Sequence, residues 1–164
     1  MGLIINLIVV ALIVGLLTFF YCIFYNKLIN HKNKANIVWN NIVKEVNVRF
    51  NLITQLRDAT ATIIDEETKN NLNRVIDSYK TKVAIEDIIN VYYEANAIIV
   101  NVLSKINSVE WNNAFNDSFN RIEELRREYN DVILKINNLV KMFPTSLIAK
   151  INGITPWIFF RGVE

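Results

Sequence analysis

One histidine, His31, and one cysteine, Cys22, are all the chain offers for soft metal ligation or nucleophilic chemistry. A zinc site needs three or four such ligands, and the Glu-x-x-His motif of di-iron bundles is absent. His31 stands among Asn30, Lys32 and Lys34, with no acid close in sequence to orient its ring, so a solvated histidine outweighs a catalytic one. Cys22 lies inside an apolar run, where a plain apolar cysteine is a simpler reading than S-acylation. The acidic groups Asp65-Glu66-Glu67, Glu86-Asp87 and Glu123-Glu124-Glu128 lack the glycine turn of a calcium loop. Helix capping and solvated faces account for them. No glycine-rich phosphate loop is present. The expectation is therefore a non-enzymatic chain with no catalytic, cofactor or metal residues.

Two arginines resist so plain a reading. Arg49 keeps the seven-residue register of Leu28, Ala35, Ile42, Leu56 and Ile63, and Arg126 keeps that of Phe119, Ile133 and Val140. Both project toward an apolar seam. An unpaired charge there costs several kcal/mol, so acid or amide partners are expected, with Asp58, Glu94, Asn51 and Asn130 as candidates. A buried polar latch of Arg49, Arg126 and Asn130 that sets helix register is preferred to a ligand site.

The elements that carry these residues are helices. Glycine is absent between positions 16 and 152 and proline between 1 and 143, with no hairpin turn. Apolar residues at Val38, Ile42, Val46, Phe50, Ile53 and Leu56 form one helical stripe, expected to run to about Ile64. Asp65 is the expected N-cap of a second stretch, 66–105. Its apolar phase, set by Leu72, Ile76, Tyr79 and Val83, slips near Ala84–Glu86, which implies a stutter, a kink or two shorter helices. Asn107 with Glu110 fits a capping box, and Ile106 with Trp111 a staple across it. A third stripe runs Phe115, Phe119, Ile122, Leu125, Tyr129, Ile133, Ile136, Val140 and Phe143, ended by Pro144. A short helix around 146–151 follows. The fold class expected is all-α: a transmembrane helix continuing into an antiparallel up-and-down bundle of three long helices, plus a short C-terminal helix. The closing aromatics Trp157, Phe159 and Phe160 cap the bundle end or meet a membrane interface.

Before that first stripe, Leu3–Tyr25 carries no charge. At a helical rise of ~1.5 Å its length is about 34 Å, enough for a hydrocarbon core of about 30 Å. No Lys or Arg precedes Lys27, and bulky aromatics close the run, which disfavours a cleaved signal peptide and suits an interfacial belt. The domain division is an anchor, 1–25, and a bundle domain, 26–164. Lys27, Lys32 and Lys34 form a membrane collar. Residues 26–50 carry a net +4 from Lys27, Lys32, Lys34, Lys44 and Arg49 against Glu45, while 51–164 carry thirteen basic and fifteen acidic side chains. The positive-inside rule places the N-terminus outside and 26–164 in the cytoplasm. A collar without a basic domain also argues against nucleic acid.

Blocks at both ends of the chain carry a resemblance. Tyr25-Asn26-Lys27-Leu28, Ala35-Asn36-Ile37-Val38-Trp39-Asn40-Asn41-Ile42 and Val48-Arg49-Phe50-Asn51-Leu52-Ile53 are followed by Arg126, Tyr129-Asn130, Ile136-Asn137, Phe143-Pro144, Ile148-Ala149 and Gly153-Ile154. In this order and spacing they resemble the LemA family. The chain departs from it at Asn51, Thr54, Asp65 and Ile136, and 68–112 matches only in pattern. The resemblance implies a bacterial, membrane-anchored helical bundle with no established catalytic activity, loosely associated with magnetosome membranes and with envelope stress. The expected function is a membrane scaffold that self-associates as a homo-oligomer or holds membrane protein partners. The alternatives are a regulatory adaptor of a membrane protease or stress system, and a lipid-binding or membrane-remodelling protein.

Overall fold

The uncharged run and the polar chain after it form one unbroken helix, α1, Gly2–Ala59, in the computed structural model, which describes residues 2–82 and 84–161. Four more helices follow among the described residues: α2 Glu66–Lys80, α3 Ile85–Ile106, α4 Val109–Lys141 and α5 Thr145–Ile151. No strand occurs among them. The fold is all-helical, with one helix among the described residues long and apolar enough to cross a membrane.

Helix ends fall where side chains satisfy orphan backbone groups. The Thr60 amide and hydroxyl both donate to the Leu56 carbonyl, at 2.9 and 2.7 Å, and the chain then turns toward Asp65. Asp65 caps α2, accepting from the Thr68 N–H at 2.7 Å. Because α1 stops at Ala59, Ile63 leaves the stripe expected to include it and is exposed, while Ile64 is buried. The phase slip is a complete break: α2 and α3 are separate helices, and the Thr81 hydroxyl closes α2 on the Ser78 carbonyl at 2.9 Å. Val83, expected in the first phase, lies outside the described residues.

The cap expected at Asn107 falls one residue later. Asn107 adopts the left-handed conformation (φ 46°) that ends α3, a role asparagine tolerates better than most residues. Ser108 Oγ accepts from the Trp111 N–H at 3.4 Å instead. Beyond α4, the chain bends by 90° through a cis Phe143-Pro144 bond into α5. Thr145 Oγ1 donates toward the orphan carbonyls of Leu139 and Met142, at 2.6 and 2.8 Å. Gly153 (φ 63°) then closes α5, with Gly153 and Ile154 amides returning to Lys150 and Ala149. This Schellman-type closure requires the left-handed conformation that glycine supplies.

The boundary expected at Tyr25 falls inside α1. Contacts divide it into unit 1, Met1–Ile37 with Asp131–Trp157, and unit 2, Val38–Asn130 with Ile158–Glu164. Within unit 1, Leu28 and Ala35 are buried with Val132, Ile133, Ile136, Ile148 and Ala149. Within unit 2, α2 packs on α3, and Lys105 in the last turn of α3 reaches the α2 cap Asp65 at 2.6 Å. Phe50, Leu56, Leu72, Tyr92, Phe115 and Ile122 are among its buried side chains.

Candidate functional site

Arg49 sits in the interior of unit 2, 4% exposed. Its Nε donates to Asn96 Oδ1 at 2.8 Å and its Nη1 to the Phe115 carbonyl at 3.0 Å. The guanidinium carbon lies 5.7 Å from the Tyr92 ring centroid and 5.3 Å from that of Phe115, within cation–π range. Burial lowers its pKa from the ordinary arginine value. The amide partner is Asn96, from the part of the chain with no motif match. The four candidates lie elsewhere: Asp58 pairs with Arg57, Glu94 with Arg74, Asn51 is exposed, and Asn130 holds the tail. The Tyr92 hydroxyl and Asn96 Nδ2, both buried, have no hydrogen-bond partner among the described residues. Arg49 also lines a groove of 240 Å³ with Ile99, Val100, Leu103, Phe115 and Phe119.

Arg126 is only part-buried, with 19% of its side chain exposed, because Glu123 one turn earlier draws it into a forked pair. Its Nε donates to both Glu123 oxygens, at 3.0 and 2.9 Å, and the ion pair raises the arginine's pKa. Its Nη1 reaches the Phe160 carbonyl at 3.5 Å. Asn130 completes that contact. Its Nδ2 donates to the Phe160 carbonyl at 2.7 Å while its Oδ1 accepts from the Phe160 N–H at 2.9 Å. One primary amide thus satisfies both backbone groups of one extended residue, as a neighbouring strand would.

The same device recurs seven residues on, in unit 1. Asn137 Nδ2 donates to the Trp157 carbonyl at 3.0 Å, and Asn137 Oδ1 accepts from the Trp157 N–H at 2.7 Å. The seven-residue interval between Asn130 and Asn137 was the signal available in sequence, and only Asn130 was singled out from it. In unit 2 the tail gains further hold from hydroxyls. Tyr129 donates to the Ile158 carbonyl at 3.2 Å, and Tyr93 donates to that of Arg161. Burial pushes both phenols up to about 12, so each stays a donor through the physiological range.

Of the closing aromatics, Phe160 is 1% exposed and packs among Trp39, Tyr92 and Tyr93, with ring centroids 6.3, 5.8 and 5.9 Å away. Burying such a ring contributes about 1.5–3 kcal/mol. Trp157 is half-buried and Phe159 exposed.

The collar residues lie in unit 1: Lys27 and Lys34 are exposed and Lys32 is half-buried. The pKa of His31 is lowered by burial first, then by Lys135, Lys27 and Lys34. Lys135 of α4 is therefore part of the same positive field, a neighbour hidden from the sequence by a hundred residues of chain. Phe143, expected as the last core residue of the third stripe, is 82% exposed. Helix α4 stops at Lys141, so Phe143 falls out of its register. It joins Leu147 and Ile151 in an apolar groove of 460 Å³ against Leu17, Phe20, Tyr21 and Phe24. The spacing of Phe143, Leu147 and Ile151, four residues apart each time, was legible but hidden by assigning Phe143 to the previous stripe.

Among the described residues, no three His, Cys, Asp or Glu side chains gather as a metal group. Compared with known proteins, the chain matches no family model, no curated protein and no solved structure.

Proposed function

We propose that this chain is a membrane-anchored, non-enzymatic scaffold of the LemA type that self-associates. In this reading residues 3–25 cross a bacterial cell membrane, with 26–164 on the cytoplasmic side as an antiparallel up-and-down bundle. One observation carries it. The apolar window of α1 is entirely exposed, whereas the same helix is buried at regular spacing from Leu28 onward. A core helix would be covered by protein, so bare hydrocarbon-length surface favours lipid as its solvent.

Three features support the remaining parts. The polar groups that come together are spent on each other and on backbone: Arg49 on Asn96 and Phe115, Arg126 on Glu123, and Asn130 and Asn137 on the tail. That pattern favours a latched interaction module over an active site. Val100 and Phe119, 68% and 39% exposed, flank the Arg49 groove and offer an apolar contact for a second copy. The excess of lysine in unit 1 favours the cytoplasmic side for that end.

Alkaline extraction and lysine-directed cross-linking in native membranes test this reading. The expected result is retention in the pellet and a ladder of multimers that Phe119→Glu shortens. Release by alkali removes the anchor. Retention of a purely monomeric chain removes self-association, and a protease recovered in place of further copies favours the adaptor reading.

A further inference from the structure

The groove in unit 1 lies between residues 17–24 of α1 and residues 143–151 around α5. Leu17, Phe20, Phe24, Phe143, Leu147 and Ile151 supply apolar walls, and at its edge the Tyr21 hydroxyl meets the Asn152 amide, accepting from Nδ2 at 3.1 Å. Phe143, Leu147 and Ile151 are 82%, 55% and 66% exposed, so none of the described residues covers that face of α5.

We propose that this groove holds one acyl chain of a bilayer phospholipid, with α5 lying in the membrane interface beside the span. The proposal rests on the membrane reading of α1 given above. One wall of the groove is the span itself, so a groove open to its surroundings there opens to hydrocarbon. Its volume, 460 Å³, lies within the range of sites that take small molecules. A slender, flexible chain can follow the apolar walls made by residues 17–24 and 143–151. The surrounding charge agrees. Unit 1 carries Lys27, Lys32, Lys34, Lys135, Lys141 and Lys150 against Asp131 as its sole acid, which complements an anionic headgroup layer. An apolar face with lysines around it is the composition of an interfacial helix.

The test uses the full chain reconstituted in vesicles of phosphatidylcholine and phosphatidylglycerol, part of the latter carrying a diazirine on one acyl chain. After photolysis, mass spectrometry locates the adducts. Adducts are expected at mid-span positions such as Val9 and also on 143–151. Leu147→Trp, which fills the groove from an already exposed position, should cut the second set at least fivefold and leave the first unchanged. Adducts at Val9 with none on 143–151 overturn the groove and leave the anchor standing. Adducts at neither place remove both. Adducts on 143–151 that Leu147→Trp leaves unchanged report simple exposure to lipid and also overturn it. So does a protein–protein bridge from 143–151 to the span of a second copy, formed by a bifunctional cross-linker in a parallel reaction. Should Leu147→Trp lose its helical circular dichroism, the wild-type adduct map still decides between the first two outcomes.

Discussion

Unit 1 carries six lysines against Asp131 alone, whereas unit 2 carries twelve basic and fifteen acidic side chains. Unit 1 leaves its largest apolar surfaces bare, on α1 from Leu3 to Ile23 and on α5. Unit 2 buries Phe50, Tyr92, Phe115, Tyr129 and Phe160, and even a guanidinium. Water as the common solvent explains unit 2 but leaves unit 1 unexplained. The proposed membrane setting of unit 1 accounts for the contrast, because bare apolar surface is cheap where the surroundings are hydrocarbon. The two asparagine clamps repeat one chemistry in both settings: Asn130 holds Phe160 in unit 2 and Asn137 holds Trp157 in unit 1.

The contrast breaks most sharply at Arg49. Arg49→Ala leaves Asn96 Oδ1 without its donor, takes from the helical Phe115 carbonyl its side-chain bond, and opens a cavity between Tyr92 and Phe115. The expected cost is about 3 kcal/mol. Hydrogen exchange should accelerate across 38–130 while membrane retention stays as in wild type. Equal loosening of residues 2–37 would erase the distinction between the units.

The clamps come next. Asn130→Ala strands the amide of a buried Phe160, leaves its carbonyl only the long contact to Arg126, and should cost about 2 kcal/mol, with faster proteolysis near residue 160. Asn137→Ala acts on a half-buried Trp157 and should cost about 1 kcal/mol. Chemical denaturation of the two variants side by side tests the order, and the reverse order would place the tail's main hold in unit 1.

A smaller effect concerns lipid. Each lysine close to an anionic surface contributes about 1 kcal/mol. Lys135→Gln with Lys150→Gln should therefore lower the co-purifying anionic lipid severalfold by lipid mass spectrometry. The same change at Lys69 and Lys80 of unit 2 should not.

The smallest is at His31. Its folded pKa lies below the ordinary 6.5, so the unfolded chain binds the proton first. This contribution is present above about pH 6.5 and is lost as the pH falls through the folded pKa. A histidine NMR titration should show the midpoint below 6.5, and Lys135→Ala should move it part of the way back, since burial remains the larger cause.

Regular spacing made most of the fold legible. Asp65 as a cap, Pro144 as a stop and Arg49 as an inward cation all follow from rules acting over one or two helical turns. Misplaced residues cluster at helix ends. Ile63 and Phe143 keep the right interval but lie beyond the last hydrogen-bonded turn, and Asn107 terminates one helix where it was expected to begin the next. Asn96 as the partner of Arg49 was beyond reach, because 47 residues separate them and no local pattern marks the pair.

By itself, then, the sequence determined what is local and periodic: an uncharged helix of membrane length, a helical chain after it, two heptad-spaced arginines and two heptad-spaced asparagines. Only the tertiary structure decided which groups meet. It brought Lys135 near His31, closed both asparagines on the tail backbone, buried Phe160 while leaving Phe159 exposed, and set α5 against residues 17–24 of α1. Periodicity reports which face of a helix a residue occupies. What covers that face depends on contacts made across long stretches of chain, which periodicity does not encode.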